Sequence, residues 1–201
     1  MKTIILLFCC SILLVGCDDD SPFETGSNNY FPLEVGNIWI FRSLQGNNDY
    51  KTFKRVTAKV TLDDLVYAEV VSGRTYPDDI GDNTYDTTYY RVEENGYVYF
   101  RRKNNNAEEN RFRLNAIDGD TWTYPIENSE TMAVTLSIVN VELRNKNLRN
   151  CKVYYYDVTQ WIDEEHTTIL AKGIGFVKEY AAWGTGQVLE SATINGREYD
   201  F

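Results

Sequence analysis

Residues that could carry nucleophilic or metal chemistry are scarce in this chain. There is one histidine, His166, and of the four cysteines Cys9, Cys10 and Cys17 lie near the amino terminus, leaving Cys151 alone downstream. A catalytic triad needs a base beside its nucleophile, and a zinc site usually needs several His or Cys ligands. Because His166 lies in an unrelated polar stretch, we expect Cys151 to be a small buried core residue.

Acidic residues are abundant, and they could serve in glycoside hydrolysis or in calcium binding. Paired carboxylates can hydrolyse glycosides, but the nearest candidates, Asp118-Asp120 and Asp163-Glu164-Glu165, have the composition of turns. An acidic loop at 78–86 could offer oxygen ligands to calcium, although its spacing departs from the EF-hand pattern. The donors of this loop are Asp78, Asp79, Asp82, Asn83 and Asp86. We expect a solvated loop, no metal or other cofactor, and a binding protein instead of an enzyme.

Aromatic side chains offer a different function, because their faces can bind sugars or peptides. The chain has 15 tyrosines and four tryptophans, and strand propensity accounts for most of them. Neighbours in a strand face opposite sides of the sheet, so Tyr155 cannot share a core with both Tyr154 and Tyr156. Tyr155, Trp161 and Trp183 are therefore the candidate ligand-binding aromatics.

The amino terminus predicts export and lipidation. Lys2 is followed by an uncharged apolar run at 3–15, which is shorter than the ~20 residues that span a bilayer and is typical of a signal peptide. The run ends in Leu14-Val15-Gly16-Cys17, which resembles the lipobox of bacterial lipoproteins. That resemblance implies cleavage after Gly16, a diacylglyceryl group on the Cys17 thiol, and an amino group open to acylation.

Two or three acyl chains on Cys17 would make the membrane its partner, since one chain alone binds only marginally. The next residues, Asp18, Asp19 and Asp20, resemble the export signal of surface-exposed lipoproteins of the Bacteroidota. In some other Gram-negative bacteria an Asp at this place retains the protein in the inner membrane, and a plain solvated tether is a third interpretation. We expect a lipid-anchored protein of the cell envelope, with the outer membrane and its outer surface preferred.

Charge and length limit the function and the domain count. The full chain has 20 basic and 30 acidic residues, a formal net charge of −10, and nucleic-acid binding depends on Lys and Arg neutralising phosphates. We therefore expect no nucleic-acid partner. The predicted organisation is a signal peptide at 1–16, a lipidated acidic tether at 17–29 and a single β-domain at 30–201. With Cys17 lipidated, Cys151 has no cysteine left with which to form a disulfide.

Period-two alternation and turn signals predict a mainly β fold. Asn95-Gly96 and Asn195-Gly196 suit tight hairpin turns, and we find no convincing helical periodicity over three turns. The sequence predicts an antiparallel meander curled into a barrel, half-barrel or two packed sheets, with little helix beyond a short turn near 127–131. The predicted strands are 38–44, 53–61, 65–72, 87–93, 97–100, 111–115, 121–126, 132–143, 151–162, 166–171, 175–182, 187–194 and 197–201.

Two short motifs resemble those of a large, mostly uncharacterised set of secreted bacterial β-lipoproteins. The segment 30–39 matches their opening Y-F-P-L-x-x-G-N-x-W, and 173–178 matches their G-x-G-x-V-K. A Cys-Lys-Val triplet precedes the second motif, as in that set, although Ala171-Lys172 replaces the usual Ala-Pro. Physically, Gly173 and Gly175 predict a bulge or sharp bend at the start of a strand.

The leading hypothesis is a non-enzymatic binding or assembly module in the cell envelope, with an envelope protein, lipid or glycan as its partner. One alternative is a carrier that encloses a lipid or other apolar ligand in a half-barrel cavity. A weaker alternative is a glycan-binding accessory lipoprotein.

Overall fold

The computed structural model describes residues 29–46, 50–75, 83–105, 107–126, 130–158 and 164–201. These ranges contain strands and turns but no helix, and hence none with the length and apolarity needed to cross a membrane. Their strands are β1 (Ile38–Ser43), β2 (Lys51–Leu62), β3 (Leu65–Thr75), β4 (Asn83–Val92), β5 (Tyr97–Arg102), β6 (Glu109–Arg113), β7 (Thr121–Pro125), β8 (Thr131–Leu143), β9 (Lys146–Asp157), β10 (His166–Ala171), β11 (Gly175–Ala181), β12 (Gly186–Ile194) and β13 (Arg197–Asp200).

All of these strands belong to one antiparallel sheet. Its order is β6-β5-β4-β3-β2-β1-β12-β11-β10-β9-β8-β7, with β13 paired to β12. Two six-stranded meanders are therefore joined through the β1–β12 pair, in which Ile38 lies opposite Thr193. The sheet curls until its edge strands, β6 and β7, approach each other. The predicted meander curled into a nearly closed barrel is confirmed.

Most strand boundaries lie within three residues of the predicted ones, but two strands depart further. Strand β4 begins at Asn83, four residues before the predicted start at 87 and inside the predicted acidic loop. Strand β9 begins at Lys146, earlier than the predicted start at 151, and pairs with β8 from Leu143↔Lys146 onward. The intervening turn places Arg144 at φ +50°. A non-glycine residue in this conformation is uncommon. Because the turn contains no Asn-Gly pair, the sequence does not mark it as a hairpin turn. Thr131 begins β8 and is not helical, while residues 127–129 lie outside the described ranges.

One end of the sheet, which we call the closed end, is filled by the segment that precedes β1. The Phe31 ring lies 5.1 Å from Tyr90, 5.3 Å from Phe112 and 5.1 Å from Phe176 between ring centroids. These partners come from β4, β6 and β11, and Phe31 itself is buried. The segment therefore ties together strands that are distant in the sheet.

The two lipoprotein-like motifs meet at the closed end. The Trp39 indole Nε1 donates a 2.6 Å hydrogen bond to the Ile174 carbonyl oxygen. Gly175 has φ +88°, and a Cβ atom there would lie 3.1 Å from both Pro32 Cδ and Trp39 Cζ2. The turn with positive φ at Gly173 and Gly175 is the sharp bend that was one of the two predicted alternatives, and the β10–β11 register shift lies further along the hairpin, between Ile169 and Leu170. Both motifs take part in the packing of the closed end.

Side-chain hydrogen bonds connect the edge strand β6 to the other end of the sheet order, through β7 and β9. The Tyr154 hydroxyl donates to the Arg113 carbonyl oxygen, and the Tyr156 hydroxyl donates to the Arg111 carbonyl oxygen, both at 3.2 Å. Trp122 of β7 donates to the backbone of β6 in the same way. Because β6 is an edge strand, its backbone needs partners other than a neighbouring strand. Buried aromatic residues supply them.

We expect Tyr156→Phe to lower the free energy of unfolding by about 1–2 kcal/mol, since it leaves a buried carbonyl oxygen without its donor. The matched control is Tyr155→Phe, because Tyr155 is 42% exposed whereas Tyr156 is 1% exposed. The control should change stability by less than about 0.5 kcal/mol. Urea unfolding of both variants measures the difference, and equal losses would contradict the role of the Tyr156 hydroxyl.

Candidate ligand-binding site

The end of the sheet opposite the closed end contains a cavity of about 460 Å³, which we call the mouth pocket. Here β1 ends at Ser43, β10 begins at His166, β11 ends at Ala181 and β12 begins at Gly186. Most of its lining residues have polar side chains, although polar and apolar atoms contribute nearly equal parts of the lining surface. The lining residues are Ser43, Gln45, Tyr50, Thr52, Arg111, His166, Thr167, Thr168, Glu179, Tyr180, Ala181, Thr185, Gly186 and Gln187.

A second cavity of about 250 Å³, the inner pocket, shares three lining residues with the mouth pocket: Arg111, Thr168 and Glu179. Its other charged lining residues are Lys54, Asp86 and Arg102. The shared residues place the two cavities side by side within the curl of the sheet. A ligand in the mouth pocket would therefore meet charged groups at its inner end.

Glu179 is held by a polar network. Lys54 Nζ lies 3.3 Å from Glu179 Oε2, and Gln187 Nε2 donates a hydrogen bond to the same oxygen. The Gln187 Oε1 atom accepts from the Thr52 hydroxyl. This network joins β2, β11 and β12. Lys54 neutralises the charge of Glu179, and the two hydrogen bonds of Gln187 fix the orientation of its amide, which lines the mouth pocket.

Arg111 reaches both cavities because of a bulge in β6. The β5–β6 register pairs Val98 with Phe112 and Tyr99 with Asn110, so Arg111 is the extra residue. A bulge redirects a side chain that would otherwise alternate to the outer face. The guanidinium lies over the Phe100 ring at 4.1 Å from its centroid, and Arg111 Nε donates to Glu109 Oε2 at 3.1 Å.

His166 contributes a neutral imidazole. Its ring stacks on Tyr156 with centroids 4.3 Å apart and planes 6° apart. Burial, together with the smaller effect of the positive charge of Arg111, lowers the pKa of His166 to about 4. At neutral pH the ring therefore offers one hydrogen-bond donor and one acceptor but no charge.

This pKa predicts a pH dependence of stability. Between pH 6.5 and about 4 the unfolded chain binds a proton at His166 that the folded protein does not bind, so the free energy of unfolding falls as the pH falls through this window. We expect His166→Phe, which retains a ring over Tyr156, to lose less stability between pH 7.5 and pH 5. Urea midpoints at the two pH values test this expectation. Identical midpoint shifts in both proteins would disprove it.

Cys151 is fully buried, as expected for a core residue. Its Sγ atom lies 3.4 Å from the Leu148 carbonyl oxygen, and burial raises the pKa of the thiol to about 11. The thiolate is the reactive form of cysteine. Cys151 is thus held as an unreactive thiol, on a different strand from His166.

The predicted aromatic candidates are found in different environments. Trp183 is 71% exposed, in a turn closed by a 2.9 Å hydrogen bond from Ala181 N to the Thr185 carbonyl oxygen. Ala181 and Thr185 line the mouth pocket, so this turn forms part of its rim, although Trp183 itself does not line the cavity. Tyr155 is exposed but lines neither cavity, and Trp161 is outside the described residues.

Other predicted sites are only partly covered by the structure. Gly16, Cys17 and the acidic residues 18–20 lie outside the described residues. In the acidic loop 78–86 only the last four positions are described, and Asn83 and Asp86 are exposed. Asp86 also lines the inner pocket. Among the described ranges, no three His, Cys, Asp or Glu residues are grouped closely enough to hold a metal ion.

The charged residues of the mouth pocket were not identified from the sequence. Arg111 faces the cavity because of a bulge, and Glu179 meets its partner Lys54 through pairings between β1, β2, β11 and β12. The sequence shows only that each of these charged residues lies within a predicted strand. Charged residues are also common at exposed strand positions, so this pattern does not identify a residue that lines a cavity.

Comparison with known proteins does not identify a family for this chain. No family model and no curated protein matches the chain. A solved structure of a Bacteroides fragilis protein, described as exported and of YmcC-like fold, has a TM-score of 0.46 and 13% identity, covering 85% of this chain and 98% of the other. A Parabacteroides distasonis protein, described as a lipoprotein, has a TM-score of 0.38 and 14% identity, covering 81% and 97%.

Proposed function

We propose that this chain is a lipid-anchored protein of the cell envelope whose β-domain binds a small polar ligand in the mouth pocket. The contrast between the two ends of the sheet carries this proposal. The closed end is packed with Phe31, Trp39 and Phe176, whereas the opposite end holds a cavity of about 460 Å³ with mostly polar lining residues. A cavity of this size suits a small molecule.

The chemistry of the mouth pocket favours a hydroxyl-rich ligand such as a saccharide unit. Hydroxyl, amide and imidazole groups line it, and the rings of Tyr50 and Tyr180 contribute aromatic surface. Trp183 at the rim adds a large exposed ring. Aromatic faces combined with convergent hydrogen-bonding groups suit a molecule that has both C–H and O–H faces.

The same lining disfavours the lipid-carrier alternative. An acyl chain gains affinity by leaving water for an apolar environment. Both cavities instead present charged side chains, among them Arg111 and Glu179. Polar groups that an acyl chain cannot hydrogen-bond would be desolvated at a cost.

The predicted anchor is compatible with an accessible mouth. Cys17 precedes Asn29 by twelve positions. The Asn29 carbonyl oxygen accepts a 2.9 Å hydrogen bond from Gly173 N, at the closed end. The chain therefore enters the domain at the end opposite the mouth pocket. This placement supports a ligand site that points away from the attachment point.

A glycan array, followed by calorimetric titration of the mature protein in detergent, tests the proposed ligand class. We expect Trp183→Ala to weaken binding about tenfold, because a stacked ring contributes roughly 1 kcal/mol beyond its buried area. Tyr155→Ala is the control, since it removes an exposed ring on β9, whereas Trp183 belongs to the turn whose Ala181 and Thr185 line the mouth pocket. Both variants should unfold at nearly the wild-type midpoint. Absence of glycan binding, or equal loss in both variants, would refute a saccharide site at the mouth.

A further inference from the structure

We infer that the ligand of the mouth pocket carries an oxyanion, a carboxylate or a phosphate ester, which is bound by the two terminal nitrogens of Arg111. This inference rests on the proposed function and specifies its ligand class. Arg111 is the cation shared by the mouth pocket and the inner pocket. Its guanidinium has the fork geometry that matches an oxyanion through two parallel hydrogen bonds.

The terminal nitrogens of Arg111 are not paired with a carboxylate of any residue that the structure describes. The Glu109 carboxylate is bound by Arg111 Nε, at 3.1 Å, and the neutral Tyr124 hydroxyl lies within hydrogen-bonding reach of the guanidinium. Arg111 also stacks on Phe100, so two contacts fix the plane of the guanidinium. The fork is thus held in place before a ligand arrives, which lowers the entropic cost of binding.

The acids of the two cavities do not occupy this fork. Glu179 is bound by Lys54 and by the Gln187 amide. Asp86 lines only the inner pocket. A cation inside a cavity loses favourable hydration unless an anion or hydrogen-bond acceptor replaces the water. A ligand oxyanion would provide that replacement.

The acids beside Arg111 already have partners, since Glu109 is bound by Arg111 Nε and Glu179 by Lys54. Tyr124 adds a neutral hydroxyl: it is 3% exposed, and the guanidinium of Arg111 lies beside it. His166, also lining the mouth pocket, is neutral at pH 7. The linings of the two cavities together carry three basic residues, Lys54, Arg102 and Arg111, against two acidic ones, Asp86 and Glu179, although the whole chain carries a net charge of −10.

The test is calorimetric titration of the mature protein with glucuronate, glucose 6-phosphate and glucose, alongside an array of neutral and acidic glycans. We expect at least one acidic probe to bind about tenfold more tightly than glucose, and Arg111→Lys to remove most of this preference because lysine cannot form the fork. Arg113→Lys is the matched control, since Arg113 is on the same strand but lines neither cavity. It should keep the preference.

Folding of the variants is checked by their melting temperatures, and Arg111→Gln serves as a second variant if Arg111→Lys melts early. Equal binding of acidic and neutral glycans would overturn the inference while leaving the proposed polar-ligand site in place. A preference that survives both substitutions would also overturn it. If no glycan of either kind binds, the proposed saccharide ligand and the inference are both wrong.

Discussion

Replacing Phe31 with alanine should lower the free energy of unfolding by about 3–5 kcal/mol, out of the roughly 5–15 kcal/mol typical of a folded domain. The ring is 3% exposed. It touches Tyr90, Phe112 and Phe176, which come from three strands in both meanders. Its loss would open a cavity where those strands converge, and a cavity in a packed interior collapses only partly.

Urea unfolding followed by tryptophan fluorescence measures this effect. Val35→Ala is the control, because Val35 belongs to the same segment but is 56% exposed, and it should shift stability by less than about 0.5 kcal/mol. Phe31→Leu should recover part of the loss, since it refills some of the volume. Coincident midpoints for wild type and Phe31→Ala would show that the segment before β1 is not part of the stabilising core.

Strand alternation was sufficient to predict most of this fold. In β9 the sequence Tyr154-Tyr155-Tyr156 predicted one exposed ring between two that face the other side, and the exposures are 0%, 42% and 1%. The alternation of side chains predicts exposure correctly here because one face of the curled sheet is exposed to solvent and the other is buried. The start of β9 was missed since its turn, with Arg144 at φ +50°, has no glycine to mark it.

The ligand site was far less predictable. Trp183 could be selected because a tryptophan beside glycine-rich turn residues fits poorly into a core. Arg111, by contrast, depends on one extra residue in the β5–β6 register. Glu179 depends on its neighbours Lys54 and Gln187, which lie on other strands. Such pairings are set by the closure of the whole sheet, and no local pattern encodes them.

The two lipoprotein-like motifs carry structural information instead of ligand information. Pro32, Trp39 and Gly175 contact one another at the closed end, away from the mouth pocket. A side chain at Gly175 would require both a positive φ angle and displacement of a buried ring. A chain can therefore keep both motifs while its mouth pocket changes. A protein that shares only these motifs therefore cannot be inferred to bind the same ligand.

The largest expected change in location comes from Cys17→Ala. Without the thiol, no acyl chains can be attached, and each buried methylene contributes about 0.8 kcal/mol to membrane binding. We expect the variant to leave the membrane fraction completely. An uncleaved signal peptide could itself hold the chain at the membrane. The substitution should therefore also be made in a chain whose residues 1–16 are exchanged for a secretory signal with a small-residue cleavage site.

Fractionation and detergent phase partition measure the location, and mass spectrometry of the mature amino-terminal peptide measures the acyl groups. Cys151→Ala is the matched control, because it removes the buried thiol that lies within the fold and leaves the lipobox intact. It should stay with the membranes and keep the acylated peptide. If the exchanged-signal Cys17→Ala chain still sediments with membranes, an interaction of the β-domain itself holds the protein there, and the lipid anchor is not needed for its location.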